Sequence, residues 1–126
     1  MDYTIEIFKV INNPYYNFYK LSINGICQFD EFVKEVETIS QEHKSLVKIL
    51  NLMDAFSPTP LPKTLFRQIV PKNKKERPDI FEFKRDTLRI YVILQKPNVY
   101  IVRGGRKKTQ EQDIALVKKE TKEFNS

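Results

Sequence analysis

Hydrophobic and polar residues alternate along several segments of the chain, and this alternation is typical of β-strands. Residues 3–10 begin in this way, and residues 18–23 follow the turn signal Asn12-Asn13-Pro14 as a second strand. Further strands are predicted over residues 65–70, 80–85, 88–95 and 99–103. The pattern therefore predicts a mainly antiparallel, twisted sheet that includes an N-terminal β-hairpin.

Apolar residues at helical spacing predict two consecutive helices between the second and third strands. The first helix is expected to start near Asp30, whose carboxylate can cap it, and its apolar stripe extends to Ile39. The second covers residues 41–56 and is ended by the proline-rich segment 57–62. A short joint between two helices predicts a helical hairpin.

A third helix is predicted over residues 110–124. Its apolar positions, among them Val117 and Phe124, fall on one face, and Thr109 and Gln112 have capping-box spacing at its start. The strands and helices together predict the α+β class. The helical hairpin and the C-terminal helix are expected to pack on the sheet.

The length of 126 residues predicts a single domain, with residues 1–28 as an N-terminal hairpin extension and residues 29–126 as the core. No run of about 18 apolar residues is present, and the N-terminus lacks the pattern of a signal peptide. Cys27 is the only cysteine, and the chain has one histidine, so we expect neither a disulfide nor a metal site. We expect a cytoplasmic protein without a membrane partner.

Positive charge is concentrated in residues 60–108, which carry 14 Lys and Arg against 4 Asp and Glu. Residues 1–59 carry 5 against 8, and residues 109–126 carry 3 against 4. Such a concentration is typical of surfaces that bind phosphates, so nucleic acid is the first expected partner. An anionic protein is the second, and a membrane surface the third.

A two-residue turn at residues 86–87 fixes the pairing of the two central strands. Lys84 then faces Arg89, and Glu82 faces Tyr91, all on one face of the sheet. Two cations directly across strands repel, unless an anion held between them compensates. The alternative is a solvated face on which Glu82 neutralises the cations. The opposite face is expected to form the core beneath the helices, with Phe81, Phe83, Ile90, Val92 and Leu94.

Residues 103–108 form a second basic cluster around Gly104 and Gly105. Glycines let backbone N–H groups approach a phosphate, and the following helix adds the positive end of its dipole. The alternative is a basic linker from strand to helix. The loop that holds Lys74 and Lys75 is expected to be a solvated turn that contacts a phosphate backbone nonspecifically.

Four segments resemble the RelE/HigB/ParE-like toxin superfamily, and most closely its phage-derived, HigB-like branch. They are Ile-Phe-Glu-Phe-Lys-Arg at 80–85, Leu-Arg-Ile-Tyr-Val-Ile at 88–93, Val-Tyr-Ile-Val at 99–102 and Lys-Lys-Thr-Gln at 107–110. Their order and spacing carry the resemblance, which covers residues 41–124. It implies a RelE-like fold with the N-terminal hairpin as an addition.

The resemblance also implies a function. Members are toxins of type II toxin–antitoxin pairs, and RelE- and HigB-like members cleave mRNA on the ribosome without a metal or other cofactor. The implied partners are a cognate antitoxin, expected to be a helix-turn-helix protein, and ribosome-bound mRNA. Two alternatives stay open: a ParE-like, non-enzymatic inhibitor of DNA gyrase, and a binding domain of the same fold that has lost activity.

Lys84, Arg89 and Lys107 match the basic catalytic positions of this family. We add Tyr91, which shares a face with Arg89, for proton transfer or base stacking. Asp113 is a candidate acid or base at the start of the last helix. The candidate RNA- and phosphate-binding residues are Arg85, Arg103, Arg106, Lys108, Lys74 and Lys75.

Overall fold

The computed structural model describes residues 1–70 and 78–124 of the chain. Within these ranges the strands are β1 (Tyr3–Ile7), β2 (Asn17–Ile23), β3 (Phe66–Val70), β4 (Ile80–Arg85), β5 (Leu88–Gln95) and β6 (Asn98–Arg106). The helices are α1 (Gln28–Glu37), α2 (Ser40–Ala55) and α3 (Gln110–Thr121), and a 3-10 turn (Lys107–Thr109) connects β6 to α3. The predicted α+β class is confirmed.

The strands form one mixed sheet in the order β1-β2-β6-β5-β4-β3. All neighbouring pairs are antiparallel except β2 and β6, which run parallel with Asn17 opposite Asn98. The predicted N-terminal pairing of β1 with β2 is confirmed, although β1 ends at Ile7 and does not reach residue 10. This hairpin therefore joins the sheet through β2.

Helices α1 and α2 contact each other and cover one face of the sheet. The core on this face includes Phe83, Ile90 and Val92 of the central strands, with Phe81 and Leu94 partly buried at its margin. The alternation of the two central strands predicted this face correctly. The core is completed by residues of the helices and of β2 and β6, among them Phe18, Phe29, Phe32, Leu46, Ile49, Met53 and Ile101.

Helix α3 lies on the opposite face of the sheet. Its predicted apolar face is confirmed, because Val117 and Phe124 are buried against strand residues that include Ile93 and Tyr100. The Phe124 ring meets the Tyr100 ring edge-on, with 5.0 Å between the centroids. The sheet therefore carries helices on both faces. In the described part of the chain, no helix is long and apolar enough to cross a membrane.

Neither predicted helix cap forms. Helix α1 begins after Cys27, without a side-chain cap, and the Asp30 carboxylate instead accepts a hydrogen bond of 3.0 Å from Lys20 Nζ on the neighbouring strand. A bond between two ions therefore replaces the bond to a backbone N–H group that was expected at the helix start. At α3, the Thr109 hydroxyl donates to the Asp113 carboxylate at 2.8 Å and caps no backbone N–H group.

Candidate nucleic-acid interface

The predicted register of the β4–β5 hairpin is confirmed. Lys84 lies opposite Arg89 and Glu82 opposite Tyr91, as the two-residue turn requires. Asp86 in this turn has a φ of +53°, in the left-handed region that aspartate tolerates better than most residues. The two cations are therefore direct cross-strand neighbours on the face that α3 covers.

The part of this face around Arg89 is closed to solvent, so the expectation of an open basic surface there is wrong. Only 6% of Arg89 is exposed, and Glu82 and Tyr91 are completely buried. From the first turn of α3, the Gln110 side-chain amide donates a hydrogen bond of 2.8 Å to Glu82 Oε1. The prediction of an open surface failed because of the position of α3. Strand alternation predicts which residues share a face, but it does not predict what covers that face.

Glu82 is the internal counterion of the cluster. Arg67 of β3 donates to Glu82 Oε2 from Nε at 2.9 Å and contacts it from Nη2 at 2.7 Å. Arg89 Nε lies 3.9 Å from Glu82 Oε1, and Arg89 Nη1 donates to the carbonyls of Asp86 and Leu88 at 3.0 and 2.8 Å. The alternative in which Glu82 neutralises the cations thus holds for Arg89, in the interior of the protein, but not for Lys84, which has no ion pair among the described residues.

Two polar atoms of this cluster, Tyr91 Oη and Arg89 Nε, are buried without a hydrogen-bond partner among the described residues. Burial raises the pKa of the Tyr91 phenol, and the negative charges of Glu82 and Asp113 raise it further. Tyr91 therefore stays protonated at neutral pH. Of the roles expected for it, proton donation is compatible with this state and proton abstraction is not.

The basic run 103–108 is divided between the two faces of the sheet. Strand β6 continues to Arg106 instead of ending at Arg103, since its pairing with β5 extends to Leu88. Arg103 points to α3, where Nε and Nη2 each donate to the Glu120 carboxylate at 3.0 Å. Arg106 points to the opposite face and is bound there by carboxylates of α1 and α2.

Glu42 of α2 accepts hydrogen bonds from Arg106 Nε and Nη2 at 2.7 and 2.9 Å, and Glu35 of α1 lies 3.4 Å from Nη1. The hydrogen bonds to Arg106 hold the pKa of Glu42 below its ordinary value and raise that of the guanidinium. Arg103 and Arg106 were both predicted to bind phosphate. In this structure each is already neutralised by a carboxylate.

The glycine pair is explained by packing from the two faces. A Cβ atom at Gly104 would lie 2.0 Å from the Phe32 ring of α1, and one at Gly105 would lie 2.1 Å from the Asp113 carboxylate of α3. Both glycines are strand residues within the pairing of β5 with β6. The expectation that they open the backbone to a phosphate is wrong, because helices occupy the space beside them.

Four of the predicted cations have no ion pair within residues 1–70 and 78–124. They are Lys84, Arg85, Lys107 and Lys108, and we call them the basic rim. They lie at one end of the sheet, where the β4–β5 turn meets the 3-10 turn: the Lys107 backbone N–H donates to the Thr87 carbonyl at 2.8 Å. Lys107 and Lys108 are exposed, and the other two are half-buried.

A cleft of about 700 Å³ opens beside the basic rim. It is lined by Ile39, Glu42, Thr87, Arg106, Lys107 and Lys108. The charge of Glu42 is matched by Arg106, so the two lysines set the net charge of the cleft. Ammonium groups beside a threonine hydroxyl suit a phosphate and the adjoining ribose, the groups that most protein–nucleic acid hydrogen bonds address.

The remaining predicted residues, Lys74 and Lys75, lie outside the described residues. Within the described ranges, no group of three or more His, Cys, Asp or Glu side chains is placed to hold a metal ion. Two residues that bind the buried Glu82 carboxylate, the exposed Arg67 and the half-buried Gln110, were not among the candidates. The length of the segment between β3 and β4 leaves their register open, so the sequence gives no signal that Arg67 faces Glu82.

No protein-family model, no curated protein and no solved structure matches the chain. The resemblance of residues 41–124 to the toxin superfamily therefore stays a prediction.

Proposed function

We propose that the chain binds RNA through the basic rim and acts as the toxin of a type II toxin–antitoxin pair, a RelE-like endonuclease that cleaves mRNA on the ribosome. The observation that carries the proposal is the gathering of four cations without carboxylate partners at one end of the sheet. Elsewhere on the sheet, Arg67, Arg103 and Arg106 are all bound by glutamates. Unneutralised charge is what a phosphate backbone requires.

For cleavage, a ribose 2′-hydroxyl attacks the adjacent phosphate, whose crowded negative charge needs cations. The bond from phosphorus to the 5′-oxygen of the next nucleotide breaks, which leaves a 2′,3′-cyclic phosphate and a 5′-hydroxyl that takes its proton from solvent. Lys84, Lys107 and Lys108 are assigned to this charge. Asp113 is assigned to accept the proton, since its half-buried carboxylate lies next to the 3-10 turn of the rim and is oriented by Thr109. A cognate helix-turn-helix antitoxin neutralises the protein in this proposal by covering the rim.

The binding test compares two double variants that each remove two neighbouring lysines. Lys107→Ala with Lys108→Ala changes the rim, whereas Lys118→Ala with Lys119→Ala removes the same charge from exposed positions on α3. A fluorescently labelled single-stranded RNA is titrated with each protein over a series of salt concentrations. We expect the rim variant to bind more weakly and to reduce the salt slope, which is the slope of the logarithm of the binding constant against the logarithm of the salt concentration, by about 1.4. The α3 variant should match the wild type. Equal losses in both variants contradict a specific rim.

The cleavage test uses induced expression in bacteria, with growth and the 5′ ends of mRNA as readouts. Growth arrest with new mRNA ends that disappear in Asp113→Asn supports the endonuclease. Arrest with intact mRNA and DNA damage instead indicates the gyrase alternative. RNA binding by Asp113→Asn serves as the control, because this substitution removes the proton acceptor while all rim lysines stay in place.

One observation favours a second candidate, a domain that binds RNA without cutting it. Arg89 and Tyr91, which the resemblance and the register placed in the catalytic centre, lie beneath α3. A purified protein that binds RNA with rim dependence but neither arrests growth nor cuts mRNA on ribosomes supports this candidate.

A further inference from the structure

A second pocket lies at the end of the sheet away from the basic rim. Its volume is about 340 Å³, and it is bounded by the C-terminus of α2, the proline-rich segment 57–62 and strands β3 to β5. Its lining includes Tyr16, Phe56, Phe66, Phe81, Lys63 and Lys96. Strand β5 has eight residues, so about 25 Å separate its two ends. The pocket is therefore distinct from the cleft beside Lys107.

Aromatic rings form one wall of this pocket. Phe66 and Phe81 stack in parallel, with 4.7 Å between ring centroids and 2° between ring planes, and both side chains are only half-buried. Phe56, which is buried, supports Phe66 from behind at 4.8 Å. A supported, partly exposed ring pair provides a flat apolar surface of the kind on which a planar ligand stacks.

The charged side chains that line the pocket are positive. Lys63 and Lys96 are exposed, and neither has an ion pair within the described ranges. Arg67 also lines the pocket, but its charge is matched by Glu82. No aspartate or glutamate is among the lining residues given for this pocket. The two lysines therefore complement an anion that is attached to a planar group.

The size of the pocket limits the ligand. Small-molecule pockets range from about 300 to 1,000 Å³, so 340 Å³ admits a single nucleotide but not a helix of a partner protein. We propose that this pocket binds one unstacked nucleotide of single-stranded RNA. The base stacks on the face of Phe81 that points away from Phe66, and the phosphate lies between Lys63 and Lys96. This inference rests on the proposed RNA binding and adds to it a site that reads a base.

The test separates the contribution of the base from that of the phosphates. The full chain is titrated with labelled hexaadenylate and with a hexamer of the same length in which every nucleotide is abasic. Phe81→Leu removes the aromatic face and keeps an apolar side chain, and Phe81 contacts a single ring, that of Phe66, among the described residues. We expect hexaadenylate to bind about tenfold more weakly to this variant and the abasic hexamer to bind unchanged.

Tyr15→Leu is the matched control, because it removes an exposed aromatic ring outside the pocket. A second variant, Lys63→Ala with Lys96→Ala, tests the phosphate side without touching the packed rings. It should weaken the binding of both hexamers and lower the salt slope by about 1.4. Thermal unfolding by circular dichroism establishes that each variant is folded.

Unchanged binding of hexaadenylate by Phe81→Leu, or equal losses for the two hexamers, overturns the inference. So does an acidic peptide whose binding depends on Phe81 while RNA binding does not, since that result assigns the pocket to a protein partner. The rim variant keeps the two proposals distinguishable. If its RNA binding equals that of the wild type while Phe81→Leu loses base-dependent binding, the pocket stands and the rim fails.

Discussion

The two faces of the sheet are both covered by helices, but the chemistry beneath the helices differs. Beneath α1 and α2 the central strands contribute hydrocarbon, with Phe83, Ile90 and Val92 fully buried. Beneath α3 the same strands contribute apolar residues such as Ile80 and Ile93, but also the buried pair Glu82 and Arg89. A buried ion pair is no more stabilising than well-packed apolar residues of similar volume. Folding alone therefore explains the first face but gives no reason for the ion pair on the second.

The largest expected effect comes from removing the carboxylate of the α3 face. Glu82→Ala leaves Arg89 buried without its counterion and should lower the free energy of unfolding by about 3–5 kcal/mol, measured by urea denaturation. Glu6→Ala is the control: its carboxylate is 72% exposed and lies 3.7 Å from Lys20 Nζ, so the expected loss is below about 1 kcal/mol. If Glu82→Ala lowers the free energy of unfolding as little as Glu6→Ala does, the Arg89 guanidinium is solvated without its counterion.

The neighbouring glycines of β6 allow the same substitution to be made on either face. Gly104→Ala drives a methyl group into the buried Phe32 ring, whereas Gly105→Ala meets the carboxylate at the end of the flexible, half-buried Asp113 side chain. We expect Gly104→Ala to cost about 3 kcal/mol and Gly105→Ala about 1 kcal/mol in urea denaturation.

The double variant Gly105→Ala with Asp113→Ala supplies the control for this pair. It removes the carboxylate that the new methyl group would meet, so Gly105→Ala should cost less in the Asp113→Ala background than in the wild type. If the cost is the same in both backgrounds, the contact with Asp113 does not determine it.

A smaller effect, opposite in sign, is expected for the unpartnered hydroxyl of the α3 face. Tyr91→Phe removes a buried polar atom that lacks a hydrogen bond among the described residues, and should raise the free energy of unfolding by about 1 kcal/mol. Tyr3→Phe is the control, and it should lower the free energy of unfolding, since Tyr3 Oη donates a hydrogen bond to the Glu120 carbonyl at 2.7 Å. If both variants lose stability, Tyr91 has a partner that this cluster does not provide.

The smallest effect concerns acid. The pKa of Glu42 in the folded protein lies below the ordinary 4.5, because Arg106 donates hydrogen bonds to the charged form. Its stabilising contribution is therefore present above about pH 5 and is lost as the pH falls through the folded-state pKa. When the pH falls from 7 to 3.5, the free energy of unfolding should decrease less for Glu42→Gln than for the wild type. The difference between the two decreases should be about 1 kcal/mol or less. Glu37→Gln, on an exposed position of α1, should behave as the wild type does.

Local signals in the sequence predicted a large part of this architecture. The two-residue turn at 86–87 was sufficient to pair Lys84 with Arg89, since the length of the turn fixes the register of a hairpin. Period-2 alternation identified the face beneath α1 and α2, and helical spacing identified the buried side of α3. In each case the interacting residues are close in the chain, so a short window contains the necessary information.

The neutralisation of the arginines could not be predicted in this way. Arg106 is bound by Glu42, 64 residues away in the sequence, and no local pattern connects them. The covering of Arg89 by α3 depends on which face the last helix selects, and the strand pattern is the same for either choice. Because these long-range pairs neutralise Arg103 and Arg106, the basic rim consists of Lys84, Arg85, Lys107 and Lys108 and not of the whole basic run.

The parallel pairing of β2 with β6 has a consequence for the order of events during synthesis. Asn17 and Asn98, which face each other in these strands, are 81 residues apart in the sequence. At about 5–20 residues per second, the ribosome needs roughly 4–16 s to make the segment that separates them. During this interval β2 can pair with β1 but not with its permanent neighbour, so Phe18 and Leu21 have no completed core in which to pack. The N-terminal hairpin is the first part of the sheet to be made and among the last to be held in place.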